Sequence, residues 1–171
     1  ASREYLAVVH GVPGGDSGEL LANACNGGTN HPPGYPLFSI LAHAAIQFPF
    51  PRVHYTEEIG LAVDWNPTPA WKVNQQCALF GATASVLIYM SSLSLFRSYT
   101  RAGKRMMGVL VTGTGGVIAA VGGVIFAMTP LIWEYGAQSA EVFALNNLLC
   151  ALIVYVTCHI FEAVAKANTF E

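Results

Sequence analysis

Residues 106–133 read MMGVLVTGTGGVIAAVGGVIFAMTPLIW, 28 positions without a charged side chain. A helix on the surface of a soluble bundle keeps a polar face at helical period. This stretch has none, so it reads as a helix in lipid, where roughly 20 apolar residues suffice to cross. Two more windows share the property: 73–96 is uncharged over 24 residues and 142–161 over 20. All 8 basic and 10 acidic side chains lie outside the three windows. The expected fold is therefore an all-α polytopic membrane protein. Its transmembrane helices fall at about 73–96, 106–133 and 140–162, within a membrane part covering 72–171.

Composition agrees. Only 11% of the 171 residues are charged and 53% are hydrophobic, against about 25% charged in a soluble domain. A net charge of −2 leaves no basic surplus for nucleic acid. So much apolar mass excludes a disordered chain. The four Cys follow neither a disulfide-scaffold nor a zinc-module spacing.

The basic residues orient the spans. Arg97, Arg101, Lys104 and Arg105 lie between the first two windows with no acid among them, which makes that link cytoplasmic. The next link carries Glu134 and Glu141 and no base, so it faces the other side, here called luminal. The tail with Lys166 returns to the cytoplasm. Residues 1–71 then form a luminal segment, where Cys25 can meet an oxidising environment. Cys77, Cys150 and Cys158 fall inside spans and are expected to be reduced packing residues. A luminal start predicts a preceding signal or span. The chain opens Ala-Ser-Arg, and its first apolar run, YLAVV at 5–9, is too short to cross. The expectation is a fragment with at least one span upstream.

The luminal segment is rich in punctuation. GVPGGDSGELLANACNGGTNHPPGYP at 11–36 alternates turn signals with one short helix over 17–24. LFSILAHAAIQF at 37–48 reads as a second helix, about 18 Å long. That is too short to cross but apolar enough to lie at the interface. Residues 49–71 form a loop with four Pro. Asn66-Pro67-Thr68 is not a glycosylation sequon because its middle residue is Pro.

Two motifs carry possible chemistry. Asp16, three residues before Glu19 and ahead of Leu20-Leu21, has the spacing of a capping box, which is the favoured local reading. The functional alternative makes Asp16 a general base at the membrane face, where desolvation raises a carboxyl pKa toward a useful value. Both hold if Ser17 caps the helix instead. His31-Pro-Pro-Gly-Tyr-Pro36 reads first as a rigid turn into the next helix. A turn does not require His31 or Tyr35, however, and both can donate to phosphate or sugar hydroxyls. His10, Asp16, Glu19 and His31 match no metal-ligand spacing, so no metal site is expected. Gly115, Ala119 and Gly123 form one small-residue ridge on the middle span, and Thr112, Gly116 and Ala120 another. Both suit close helix packing.

The run PGGDSGELLANA…HPPGYPLFSILAHAA, followed by WKVNQQCALFGATAS and SAEVFALNNL, resembles the transmembrane protein O-mannosyltransferases that act on IPT/TIG domains. The resemblance covers Pro13 to about Ala163. It implies a partial GT-C-type helical bundle, multi-pass in the endoplasmic reticulum membrane, with its active site on the luminal face. The implied donor is dolichyl-phosphate mannose and the implied acceptor a Ser or Thr of an IPT/TIG-like domain. By resemblance, Asp16 matches the luminal-loop catalytic carboxylate, with Glu19 in the same catalytic motif. His31, Tyr35, Glu141 and Asn147 match substrate-binding motifs. Charge counting puts Asp16, His31 and Glu141 on one side of the membrane. The implied reaction inverts the anomeric carbon, and His31, Arg52 or Lys72 would offset charge on the leaving phosphate.

The loop at 52–70 is longer than the family's usual link. GT-C enzymes carry seven or more spans, so three spans alone imply an inactive fragment. The competing readings are a transporter or lipid-linked sugar flippase module, suggested by the Gly-rich span and the Pro-broken loop, and a structural assembly subunit. The uncharged spans count against the first.

Overall fold

The computed structural model describes residues 12, 15–50, 53–54, 64–65, 67–102, 108–130 and 142–167. Five helices dominate: α1 (Ser17–Asn26), α2 (Pro36–Gln47), α3 (Pro69–Ala102), α4 (Gly108–Met128) and α5 (Val142–Ala167). The expected all-helical architecture is present. One departure lies in the proline-rich loop, where β1 (Val53–His54) pairs antiparallel with β2 (Asp64–Trp65). Val53 sits opposite Trp65 and His54 opposite Asp64.

Local chemistry sets the helix ends. Helix α1 stops at Gly27, which adopts φ +67°. Glycine reaches that left-handed conformation without a Cβ clash, and the Gly28 N–H then donates to the Asn23 carbonyl at 2.9 Å. Helix α2 opens with Pro36 in its first turn and ends before Phe48-Pro49. Helix α3 begins about one turn earlier than the uncharged window at 73. Thr68 caps it: its Oγ1 accepts the Trp71 N–H at 3.1 Å and its carbonyl accepts the Lys72 N–H at 3.1 Å. Pro69 supplies the first helical residue, where a missing N–H costs nothing.

The chain divides into two compact units, 1–79 with 134–142 and 80–133 with 143–171. In the first, α1 and α2 bury Leu20, Leu21, Ala24, Phe38 and Ala42, and the start of α3 buries Val73 and Cys77. Leu37 and Ile40 on α2 stay exposed. In the second unit α4 packs against α3. A Cβ added at Gly123 would lie 3.2 Å from Tyr89 Cβ and 3.4 Å from the Ser85 carbonyl. One added at Gly115 would lie 3.4 Å from Phe96 Cβ. Ala119, between them, is buried. The first small-residue ridge is therefore a close helix contact. For the second ridge, among the described residues nothing lies within 4 Å of a Cβ at Gly116, and Ala120 is exposed. Thr112, its third member, has no described side chain.

Two helices, Pro69–Ser98 and Val142–Ala167, are long and apolar enough to cross a membrane. Only 17% of the most apolar window in each is buried. Val86 and Leu95 on α3, and Ile153, Ile160 and Phe161 on α5, face outward. Helix α4 covers 21 residues of the expected middle span. Its Val117, Val124 and Ile125 are exposed.

Candidate functional site

The first unit gathers four of the sequence-selected residues, Asp16, Glu19, His31 and Tyr35. His31 follows α1 after a four-residue connection, and its carbonyl accepts the Gly34 N–H at 2.7 Å, closing a tight turn. Gly34 and Tyr35 both take positive φ, +89° and +41°. Glycine accepts this freely; tyrosine does so at a cost that its surroundings must offset. The turn folds His31 back over the first turn of α1. There Glu19 receives it twice: Oε1 accepts the His31 backbone N–H at 2.7 Å and Oε2 meets Nδ1 at 3.0 Å. The opposite ring nitrogen, Nε2, lies 3.8 Å from Asp16 Oδ2. That is ion-pair range but beyond a hydrogen bond. Tyr35 meets the imidazole edge-on, with ring centroids 5.6 Å apart.

This arrangement overturns the capping-box reading. Asp16 occupies the N-cap position with a helical φ of −79° and ψ of −4°, and its side chain caps nothing. Glu19 does not reach back to the Asp16 amide as a capping box requires. Its two oxygens are engaged by His31, the better-placed donor. Ser17 is not the cap either. It is the first helical residue, fully buried, and its Oγ has no hydrogen-bond partner among the described residues. The Asp16 side chain is consequently 68% exposed.

The electrostatics follow from these contacts. The His31 backbone N–H, then its ring, hold the Glu19 carboxyl below its usual pKa. An ionised Glu19 is acceptor-only, so Nδ1 carries the ring proton that it binds. Nε2 is then the nitrogen left facing Asp16 and the open surface. Among the described residues no group of three or more His, Cys, Asp or Glu is placed to hold a metal ion; His10 lies outside them.

A buried polar chain backs the site. Asn23 Nδ2 donates to Asn30 Oδ1 at 2.9 Å, Asn30 Nδ2 donates to Ser39 Oγ at 2.7 Å, and Ser39 Oγ donates to the Tyr35 carbonyl at 3.1 Å. One turn further along α2, His43 Nδ1 donates to the Ala24 carbonyl at 2.7 Å. The chain ties α1, the His31 turn and α2 together and holds the left-handed Tyr35. Sequence reasoning passed over these residues. The signal was Ser39 and His43, two polar side chains four apart on an otherwise apolar helix.

The chain matches the family described as Protein O-mannosyl-transferase TMEM260 N-terminal domain over residues 16–169. It belongs to that family. It is 36% identical over 161 residues to the protein O-mannosyl-transferase TMEM260 of Mus musculus, covering 94% of this chain and 18% of that protein. It is 30% identical over 145 residues to the corresponding protein of Dictyostelium discoideum, covering 85% of this chain and 14% of that one. The chain thus spans less than a fifth of the length of these relatives. No solved structure matches it.

The TMEM260-family match begins at Asp16 and includes the His31 turn. The remaining residues selected from the sequence are as follows. Asn147 sits half-buried on α5, in the second unit. Glu141 and Arg52 lie outside the described residues, as does most of the loop at 52–70. Lys72 has a different task from the one expected of it. Its ammonium donates to the carbonyls of Ile46 at 2.7 Å and Phe48 at 2.9 Å, and lies 5.7 Å from the centre of the Phe50 ring. It closes the C-terminal end of α2, where a cation complements the helix dipole.

Proposed function

We propose that this chain carries the acid–base centre of a membrane protein O-mannosyltransferase, with Asp16 as the base and His31 and Glu19 as its proton relay. The observation that carries the reading is the convergence of Asp16, Glu19 and His31. Two carboxylates on one helical turn flank one imidazole brought in from a separate turn. A purely structural cap would engage Asp16; here its carboxylate is open to solvent beside Nε2.

The chemistry runs as follows. The donor is dolichyl-phosphate mannose, and the acceptor is a Ser or Thr hydroxyl of an IPT/TIG-like domain. Asp16 takes the hydroxyl proton as the oxygen attacks the anomeric carbon. The bond from that carbon to the dolichyl phosphate breaks on the opposite face, so the configuration inverts. The proton on Asp16 passes to Nε2, and Glu19 stabilises the imidazolium that results. Tyr35 shapes the edge of the site, and Asn147 and Glu141 contribute to substrate binding. The cleft faces the lumen of the endoplasmic reticulum.

The test is Asp16→Asn in the full-length enzyme, with labelled dolichyl-phosphate mannose and a folded acceptor domain. Removal of a general base lowers transfer by about 10²–10⁴-fold, with membrane insertion and expression unchanged. Transfer at the unmodified rate overturns the base assignment. Movement of intact lipid-linked sugar across the bilayer without transfer would identify a flippase instead.

A further inference from the structure

Asn30 directly precedes His31, is 6% exposed, and uses both ends of its amide. Its Oδ1 accepts from Asn23 Nδ2 of α1 at 2.9 Å, and its Nδ2 donates to Ser39 Oγ of α2 at 2.7 Å. Tyr35, four residues after His31, is the far end of the same chain. Its carbonyl accepts both the Ser39 N–H at 3.0 Å and the Ser39 hydroxyl at 3.1 Å. One buried chain therefore holds the turn on either side of His31. We infer that Asn30 is a positioning residue for the proton relay and acts through His31. With Ser39 it keeps the turn where Glu19 reaches the His31 amide and ring together. This rests on the reading of Asp16 and His31 given above.

Exposure decides which contacts hold the geometry. The Glu19 and His31 side chains are 44% and 37% exposed. Water competes for contacts of that kind, so they fix a position weakly. Yet Glu19 meets two groups of one residue, at 2.7 Å and 3.0 Å, which requires a turn held by something stiffer. The Asn30 bonds are shielded from water, where an unmade bond is costly. An amide side chain also suits the place, because it accepts and donates at once.

Tyr35 shows what the chain resists. Its φ of +41° is unfavourable for a residue with a Cβ. Its ring meets the imidazole edge-on, with centroids 5.6 Å apart. Loss of the Ser39 hydroxyl frees the Tyr35 carbonyl, the backbone relaxes, and the ring no longer backs His31. Glu19 then keeps the amide or the ring but not both, and Nε2 is no longer held toward Asp16.

The experiment uses the full-length enzyme in detergent, with labelled dolichyl-phosphate mannose and a folded acceptor domain. Ser39→Ala removes the hydroxyl link to Tyr35, and Asn30→Ala removes the whole bridge. Each should lower kcat by about 10–10²-fold, the effect of a misplaced catalytic group, with KM held within about twofold. Ser39→Thr keeps the hydroxyl and should restore kcat. The His31 ring is read separately by nitrogen NMR of histidine-labelled protein, above the ordinary imidazole pKa. Its signal is assigned by its loss in His31→Gln. The unmodified protein should show one tautomer, protonated at Nδ1, and Ser39→Ala a mixture. A merely structural role would shrink the folded fraction and leave its kcat and tautomer unchanged, and that result overturns the inference. So does a rise in KM at constant kcat. Asp16→Asn, measured alongside, keeps the two ideas apart. Transfer at the unmodified rate removes the base assignment, while the tautomer still decides whether Asn30 positions His31. An inactive Asp16→Asn beside a Ser39→Ala with normal kcat and one tautomer keeps the base and overturns the role of Asn30.

Discussion

Glu19 holds His31 by both its backbone amide and its ring, with contacts of 2.7 Å and 3.0 Å. The two residues are twelve positions apart, so this one carboxylate fixes the return of the turn onto α1. It also fixes which ring nitrogen faces Asp16. Structure and chemistry are coupled there: the group that closes the loop is the group that sets the imidazole tautomer.

The Glu19 contact has a pH signature. Its carboxyl pKa is lowered in the folded chain, chiefly by the His31 backbone N–H. A depressed carboxyl contributes stability that is fully present above its unfolded pKa, about 4.3, and lost as pH falls through the folded value. Amide exchange at His31, corrected for intrinsic rates, should show constant protection from pH 7 to about 5. Protection should then fall on further acidification. Glu19→Gln keeps an acceptor for the amide and should flatten that fall. An acid-independent His31 amide in the unmodified protein would contradict the assignment.

Asn30 should matter more than a loop residue usually does. It is 6% exposed and joins Asn23 to Ser39. Asn30→Ala removes two hydrogen bonds to half-buried partners, at a cost of about 1–3 kcal/mol in local opening of the α1–α2 connection. Ser39→Ala breaks the same chain one link further on. A double-mutant cycle read by hydrogen exchange should give a coupling above about 0.5 kcal/mol. Additive effects would mean that the two bonds act separately.

The same residues show what could be read from sequence. Charge-free windows located the long apolar helices α3, α4 and α5, because lipid disfavours charge along a whole span, a constraint visible in one dimension. The Thr68-Pro69 pair, an N-cap followed by a first-turn proline, was an available signal for the earlier start of α3. Asp16 and Glu19 were less legible. Their spacing fits a capping box equally well, and only the fold of the His31 turn decides which donor Glu19 takes. Asn23, Asn30 and Ser39 pair over seven and nine residues through a turn whose geometry no periodicity encodes. The two small-residue ridges on α4 were indistinguishable for a related reason: composition says that a face can pack closely, not that a helix lies against it.

Lys72 gives a third measurable effect. Its ammonium binds the Ile46 and Phe48 carbonyls at the end of α2. Lys72→Met keeps most of the stem and removes the charge. The last turn of α2 should lose about 1–2 kcal/mol of protection, seen as faster amide exchange at 45–48. Unchanged exchange there would show that the carbonyls find other donors.

The glycines of α4 provide the sharpest contrast, because Gly116 and Gly123 share a helix and a residue type but not a neighbour. At Gly123 a Cβ would meet Tyr89 Cβ at 3.2 Å and the Ser85 carbonyl at 3.4 Å. The carbonyl is backbone and cannot rotate away. Gly123→Val therefore pushes α4 off α3 and should cost about 1–3 kcal/mol, as overpacking does elsewhere. At Gly116 nothing among the described residues lies within 4 Å. Gly116→Val adds apolar surface where Val117 and Ala120 already face outward, and it removes the backbone freedom of a helical glycine. Thermal unfolding of the full-length protein in detergent should fall clearly for the first variant and hold or rise slightly for the second. Equal losses would mean that another helix covers the Gly116 face, and both ridges would then be packing surfaces.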